Sequence, residues 1–123
     1  MENTTLYERI GGDVALTQLT DRFYDLVFED EQISRLFKSD KDVIKEKQKL
    51  FLTQFLGGPL LYSDQYGHPM MRARHMPHPI SEEDAIAWLN CMSAAIGTLD
   101  IAKELKDELF DGFPRTAFFM VNQ

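Results

Sequence analysis

Three histidines, His68, His75 and His78, fall within one stretch between residues 57 and 80, together with four of the five prolines and three of the seven glycines. A neutral imidazole can coordinate iron, copper or zinc. Pro69 fits the first turn of a short helix running through His75, while Pro77 and Pro79 prevent its extension. A plain connector needs neither this backbone restriction nor an Arg72-Ala73-Arg74-His75 run, so the stretch reads as a ligand-holding segment. His75 is the leading candidate ligand; the alternative is a histidine that is merely hydrogen-bonded or exposed. Zinc shared by the three histidines fits less well. Structural zinc sites take four N or S ligands, and the single thiol, Cys91, belongs to another helix. His68 then reads as a turn residue and His78 as a surface residue.

Tyr24, Gln48 and Trp88 form a second set. Each carries an O–H or N–H donor on or beside the apolar face of a different long helix. A buried amide such as Gln48 costs ~1–3 kcal/mol if left unpaired, so something should meet it. Singly, each is more often an ordinary core residue with a local partner. Together they could surround one polar ligand within a cage of Phe28, Phe37, Ile44, Phe51 and Met92. Gly57-Gly58 is no phosphate loop, because it ends a helix and lacks the Gly-Lys-Ser/Thr continuation. Cys91, inside an apolar helix, reads as an inert buried thiol.

The elements that must position these groups follow from spacing and caps. Thr4 or Thr5 can cap a short helix over Leu6, Tyr7 and Ile10, ended by Gly11-Gly12. Asp13 is expected to cap a second helix with Leu16, Leu19, Phe23, Leu26 and Val27 on one face. Ile33, Leu36 and Phe37 suggest one more turn. Asp40 should cap a helix over 41–56 whose stripe reads Val43, Ile44, Lys47, Gln48, Phe51, Leu52, Phe55 and Leu56. Ser81-Glu82-Glu83-Asp84 resembles a capping box, opening a helix with Ile86, Leu89, Met92 and Ile96 on one face. A last helix is expected from near Asp100, with Ile101, Leu105 and Leu109, kinked or broken at Gly112-Phe113-Pro114. Phe118, Phe119 and Met120 resume an apolar pattern.

No segment alternates with period two. The 123 residues suit one all-α domain spanning 1–123, and 44% hydrophobic residues suit a folded chain. A formal charge of −7 argues against nucleic acid or an anionic membrane as partner. No run of ~18 apolar residues exists to span a bilayer. A lone cysteine fits a reducing compartment, so a cytoplasmic location is expected.

Specific segments then identify a family. Tyr7-Glu8-Arg9-Ile10-Gly11, Phe23-Tyr24, Lys47-Gln48-Lys49, Phe51-Leu52-Thr53-Gln54-Phe55-Leu56-Gly57-Gly58-Pro59 and Leu61-Tyr62 resemble the group II truncated haemoglobins, most closely those of Bacillus-like bacteria. The match continues through Gly67-His68-Pro69-Met70, Arg72-Ala73-Arg74-His75, Ala87-Trp88-Leu89, Cys91-Met92 and Met120-Val121-Asn122-Gln123. It covers essentially the whole chain. The resemblance implies a globin-like two-over-two helical sandwich with one haem b per chain. His75 matches the proximal histidine that ties the iron to the protein. Tyr24, Gln48 and Trp88 match distal hydrogen-bond donors, and Phe37 matches the aromatic residue packed on the porphyrin. Arg74 and Lys47 match positions facing the propionates; Ile44, Phe51, Leu52, Tyr62 and Met71 match pocket positions.

The resemblance further implies binding of O2 and other small ligands such as CO and NO, with sulfide and peroxide as further candidates. Donors aimed at a ligand carrying partial negative charge contribute ~1.5–3 kcal/mol each, or about ten- to a hundredfold in release rate. Three such donors imply holding or reacting rather than rapid delivery, although oxygen transport is the family's usual description. The same pocket could serve NO dioxygenation or peroxidase-like chemistry. Turnover would need an external reductase, since no flavin or nicotinamide motif is present. A haem-free helical interaction module is the alternative of another class. Monomer and homodimer both remain open. Three departures stand out: Ile44 where the group has a small residue or Thr, His78 where relatives carry Phe, and Gly112-Phe113-Pro114 in place of a regular helix.

Overall fold

Short-range signals place most of the helices seen in the computed structural model, which describes residues 5–37, 40–66 and 80–121. Helix α1 (Leu6–Ile10) begins at Thr5, whose Oγ1 accepts the Glu8 amide at 3.2 Å while the Glu8 carboxylate reaches back to the Thr5 amide. Gly11, at φ 117°, turns the chain straight into α2 (Gly12–Glu29). Asp13 therefore does not cap α2, as expected from sequence. It lies inside the first turn and pairs with Lys49 at 2.8 Å instead. Leu16, Leu19, Thr20, Phe23, Tyr24 and Val27 form the buried face of α2.

A 3-10 turn (Ser34–Leu36) follows, and Asp40 caps α3 (Lys41–Phe55) by accepting the Asp42 and Val43 amides. Helix α3 runs antiparallel to α2. Asp13, Asp21 and Asp25 pair with Lys49, Lys45 and Lys41 at 2.8, 2.9 and 2.8 Å. Turning those three lysines toward α2 rotates Val43 outward, so this stripe member is 59% exposed rather than buried. Past α3, Tyr7 of α1 donates its amide to the Leu56 carbonyl at 3.0 Å. A Cβ at Gly58 would lie 2.8 Å from the Thr53 carbonyl oxygen and 2.9 Å from the Tyr7 ring, so only glycine admits this crossing. Helix α4 (Leu61–Tyr66) comes next.

Helix α5 (Glu82–Gly97) opens on the expected capping box of Ser81 and Asp84. Its buried residues include Ala85, Leu89, Met92 and Ile96. Ala85 holds the inner position of the first turn, which leaves Ile86 facing out, contrary to expectation. The following helix starts later than Asp100: α6 spans Lys103–Asp111, because Ala102 is still extended at ψ 147°. Gly112-Phe113-Pro114 breaks the chain into a separate α7 (Pro114–Phe119), with proline in the first turn and Phe113 buried. Phe118 and Phe119 are exposed and only Met120 turns inward.

Helix α2 packs on both α3 and α5, and α5 packs on α6 and α7. This is the two-over-two layering. The core lies between the pairs, centred on Phe23, Leu52, Met92 and Leu109. No strand occurs among the described residues, and none of their helices is long and apolar enough to cross a membrane.

Candidate functional site

Tyr24 is positioned by the buried stripe of α2 and is only 3% exposed. Its ring meets Phe23 edge-on at 4.9 Å and Phe37 edge-on at 5.9 Å, with Phe28 at 6.3 Å. Burial pushes its phenol well above the ordinary range. The hydroxyl therefore stays protonated, and able to donate, throughout the physiological range. Trp88 sits one turn beyond the α5 capping box. Its ring packs on Phe23 at 5.0 Å and on Phe113 at 5.7 Å. Phe23 is thus a shared wall that brings Tyr24 and Trp88 to neighbouring places. The break at Gly112-Phe113-Pro114 is what lets Phe113 turn inward to support Trp88.

Gln48 is half-buried on α3, one turn from Ile44 on one side and Leu52 on the other. Ile44 and Phe51 pack against the core and Leu52 is buried within it. Phe51 stacks on Phe55 at 5.6 Å and meets the buried Tyr62 of α4 edge-on at 5.7 Å. Phe55 in turn stacks on Phe113 at 5.7 Å. The aromatic rings form one unbroken series, from Phe28 and Phe37 through Tyr24, Phe23, Trp88, Phe113, Phe55 and Phe51 to Tyr62.

The Tyr24 hydroxyl, the Gln48 amide and the Trp88 indole N–H form no hydrogen bond among the described residues. Yet no fully enclosed side-chain N or O among the described residues lacks a partner. The donor atoms must therefore border accessible space rather than be walled in. Unspent donors on three helices, set in an aromatic and aliphatic shell, fit a flat apolar cofactor that carries a small polar ligand. This donor set is compatible with haem. Of the remaining predicted residues, His75, Arg74 and Met71 lie outside the described residues, as do His68 and His78. Lys47 is half-buried and makes an interaction of its own, and Phe37 packs at the edge of the core.

Cys91 is buried, with its Sγ 3.9 Å from Asp30 Oδ2. Burial first, and then the neighbouring Asp30, push its thiol up to about 11, which keeps it unreactive. Sequence reasoning missed a different group. Asp84, only 1% exposed, takes Arg35 Nη2 at 3.0 and 2.9 Å and Gln32 Nε2 at 2.8 Å. The capping-box pattern flagged Asp84, but nothing local pointed to its partners.

Comparison with known proteins agrees with this arrangement. The family described as Bacterial-like globin matches residues 5–122. The chain is 47% identical to the group 2 truncated hemoglobin YjbI of Bacillus subtilis, over 95% of this chain and 88% of the relative. Group 2 truncated hemoglobin 3-1 of Lotus japonicus is 38% identical over 98% of this chain and 74% of its own. Among solved structures, the group II truncated hemoglobin of Bacillus anthracis superposes with a TM-score of 0.95 at 40% identity, covering 100% of this chain and 95% of that one. A truncated oxygen-avid haemoglobin from Bacillus subtilis gives a TM-score of 0.91 at 45% identity, covering 97% and 100%. With its two-over-two layering, the chain belongs to the bacterial-like globins and, within them, to the group II truncated haemoglobins.

Proposed function

We propose that this chain, as a single domain over residues 1–123, holds one haem b and retains O2 or a similar small ligand by hydrogen bonds from Tyr24, Gln48 and Trp88. His75 is the residue that would hold the iron, with Arg74 and Lys47 toward the propionates and Phe37, Ile44, Phe51, Leu52, Tyr62 and Met71 as apolar wall. When bound, the haem supplies an iron with a free coordination position for a diatomic molecule. The side chains do the rest. Tyr24 and Trp88 donate from a largely aromatic wall, whose low local dielectric strengthens a hydrogen bond to a bound ligand. Ile44 presents no donor and keeps water from the distal side of α3. CO and NO fit the same space. The observation that carries this proposal is the set of unspent donors on three different helices. The oxygen-avid character of the similar Bacillus subtilis protein agrees with it. The buried, unreactive Cys91 suits a cytoplasmic location.

The test is the absorption spectrum of the purified protein, ferric, reduced, and reduced under O2. A haem band that shifts on reduction and then forms a persistent oxygenated spectrum is expected, with stable haem lost in His75→Ala. Absence of haem uptake with added hemin overturns the proposal and leaves a helical module without cofactor.

A further inference from the structure

Helix α5 is anchored at its start by more than a cap requires. In its capping box, Asp84 Oδ2 takes the Ser81 amide at 2.9 Å and Ser81 Oγ takes the Asp84 amide at 3.2 Å. That would satisfy the helix end. The same carboxylate also accepts Gln32 Nε2 through Oδ1 at 2.8 Å and Arg35 Nη2 through both oxygens. Gln32 and Arg35 belong to the turn after α2, which Asp30 Oδ1 holds by accepting the Gln32 and Ile33 amides at 2.8 and 3.2 Å. The carboxylate is thus spent on two elements at once.

Both elements lead to the pocket. The turn delivers Phe37, whose ring braces Tyr24 at 5.9 Å. Trp88 lies four residues after Asp84, on the same face of α5 one turn on. Its ring rests on Phe23, which also carries Tyr24. One carboxylate therefore anchors the brace behind one distal donor and the helix turn that carries another.

We propose that Asp84, with Arg35 and Gln32, is a positioning node that sets Trp88 relative to Tyr24 and so tunes how firmly the pocket holds its ligand. The ligand-holding part rests on the haem function proposed above; the positioning of Trp88 does not. If Asp84 served only as a cap, losing Arg35 would leave the pocket unchanged, because among the described residues Arg35 hydrogen-bonds to the start of α5 through that carboxylate alone. A positioning node transmits the loss.

The informative variant is Arg35→Met, since the side chain is 48% exposed and its removal leaves the cap intact. Trp88 is the only tryptophan, so its emission and near-ultraviolet dichroism report its surroundings even without cofactor. In the haem-free protein, Arg35→Met is expected to shift the Trp88 emission, and Arg35→Lys to restore part of the wild-type signal. Ser81→Ala, which weakens the cap alone, should lower stability and leave the signal in place. In the haem-loaded protein, Arg35→Met should speed O2 dissociation roughly threefold to tenfold, as for coupled neighbours. It should also split or shift the C–O stretching band of the CO form at unchanged haem content. Wild-type emission, C–O band and release rate in Arg35→Met would overturn the proposal. Failure of the wild-type protein to take up haem, with the emission shift present, would overturn the ligand-holding function and retain the positioning role.

Discussion

Asp84 and Trp88 stand one helical turn apart on α5 and treat the same problem in opposite ways. A polar group taken out of water costs free energy until it finds a partner. Asp84 finds three, its own cap amide, Gln32 and Arg35, which together make four hydrogen bonds to it. Trp88, like Tyr24 and Gln48, finds none among the described residues. Where the fold itself needs a polar group, the chain satisfies it internally. Donors left unspent beside accessible space are what the proposed ligand-holding role requires. The outer seam between α2 and α3 is a third case. Its Asp–Lys pairs are satisfied but wet, and therefore weak.

The comparison can be broken most sharply at the donors. Tyr24→Phe and Trp88→Phe keep the aromatic wall and remove one donor each, so O2 release followed by stopped flow should accelerate about ten- to a hundredfold in each. Tyr24→Phe should leave the stability of the haem-free protein to urea unchanged, because no hydrogen bond among the described residues is lost, whereas Trp88→Phe also gives up ring contact with Phe23 and Phe113. Unchanged release in both would mean that the donors are not reserved for a ligand. Asp84→Ala should do the reverse, reducing stability in urea by about 1–3 kcal/mol as its partners lose their acceptor.

The acid limb sharpens the contrast. Burial alone would raise the Asp84 carboxyl, but the Ser81 amide and hydroxyl, the Gln32 amide and Arg35 outweigh it and hold the group below its ordinary 3.8. Because the folded state binds that proton less readily, the contribution is present above the unfolded value and is lost as pH falls through the folded one. Asp84→Asn should therefore flatten part of the stability loss below about pH 4, measured by urea titration across that range. Gly58→Ala tests the α1 crossing, where a methyl group would meet backbone and ring; a loss of about 1–3 kcal/mol in urea is expected. The smallest effect belongs to the outer seam. Lys45→Met should change stability by less than about 1 kcal/mol, and the difference should fade in molar salt.

Most of the helices were legible because caps and stripes act over three or four residues. The box at Ser81, the cap at Asp40 and the buried faces of α2 and α5 needed no knowledge of neighbours. The failures share one cause. Val43 and Ile86 fit their stripes, yet they face out because helix rotation is set by the neighbouring helix and by the width of the core. Asp13 looks like a cap, but Gly11 had already turned the chain. For the site, residue type singled out Tyr24, Gln48 and Trp88, and family resemblance assigned them roles. The wall of rings shared by Tyr24 and Trp88 was not legible.

The chain's pattern thus determined by itself the all-helical class, the family and the candidate donor side chains, since these follow from local spacing and from motifs. Tertiary structure alone decided which polar groups are spent and which are kept. Gln32 and Arg35 reach Asp84 across separations of 52 and 49 residues, and Trp88 and Tyr24 share the Phe23 ring. Such pairings depend on how helices cross, and no pattern within a single helix encodes the crossing.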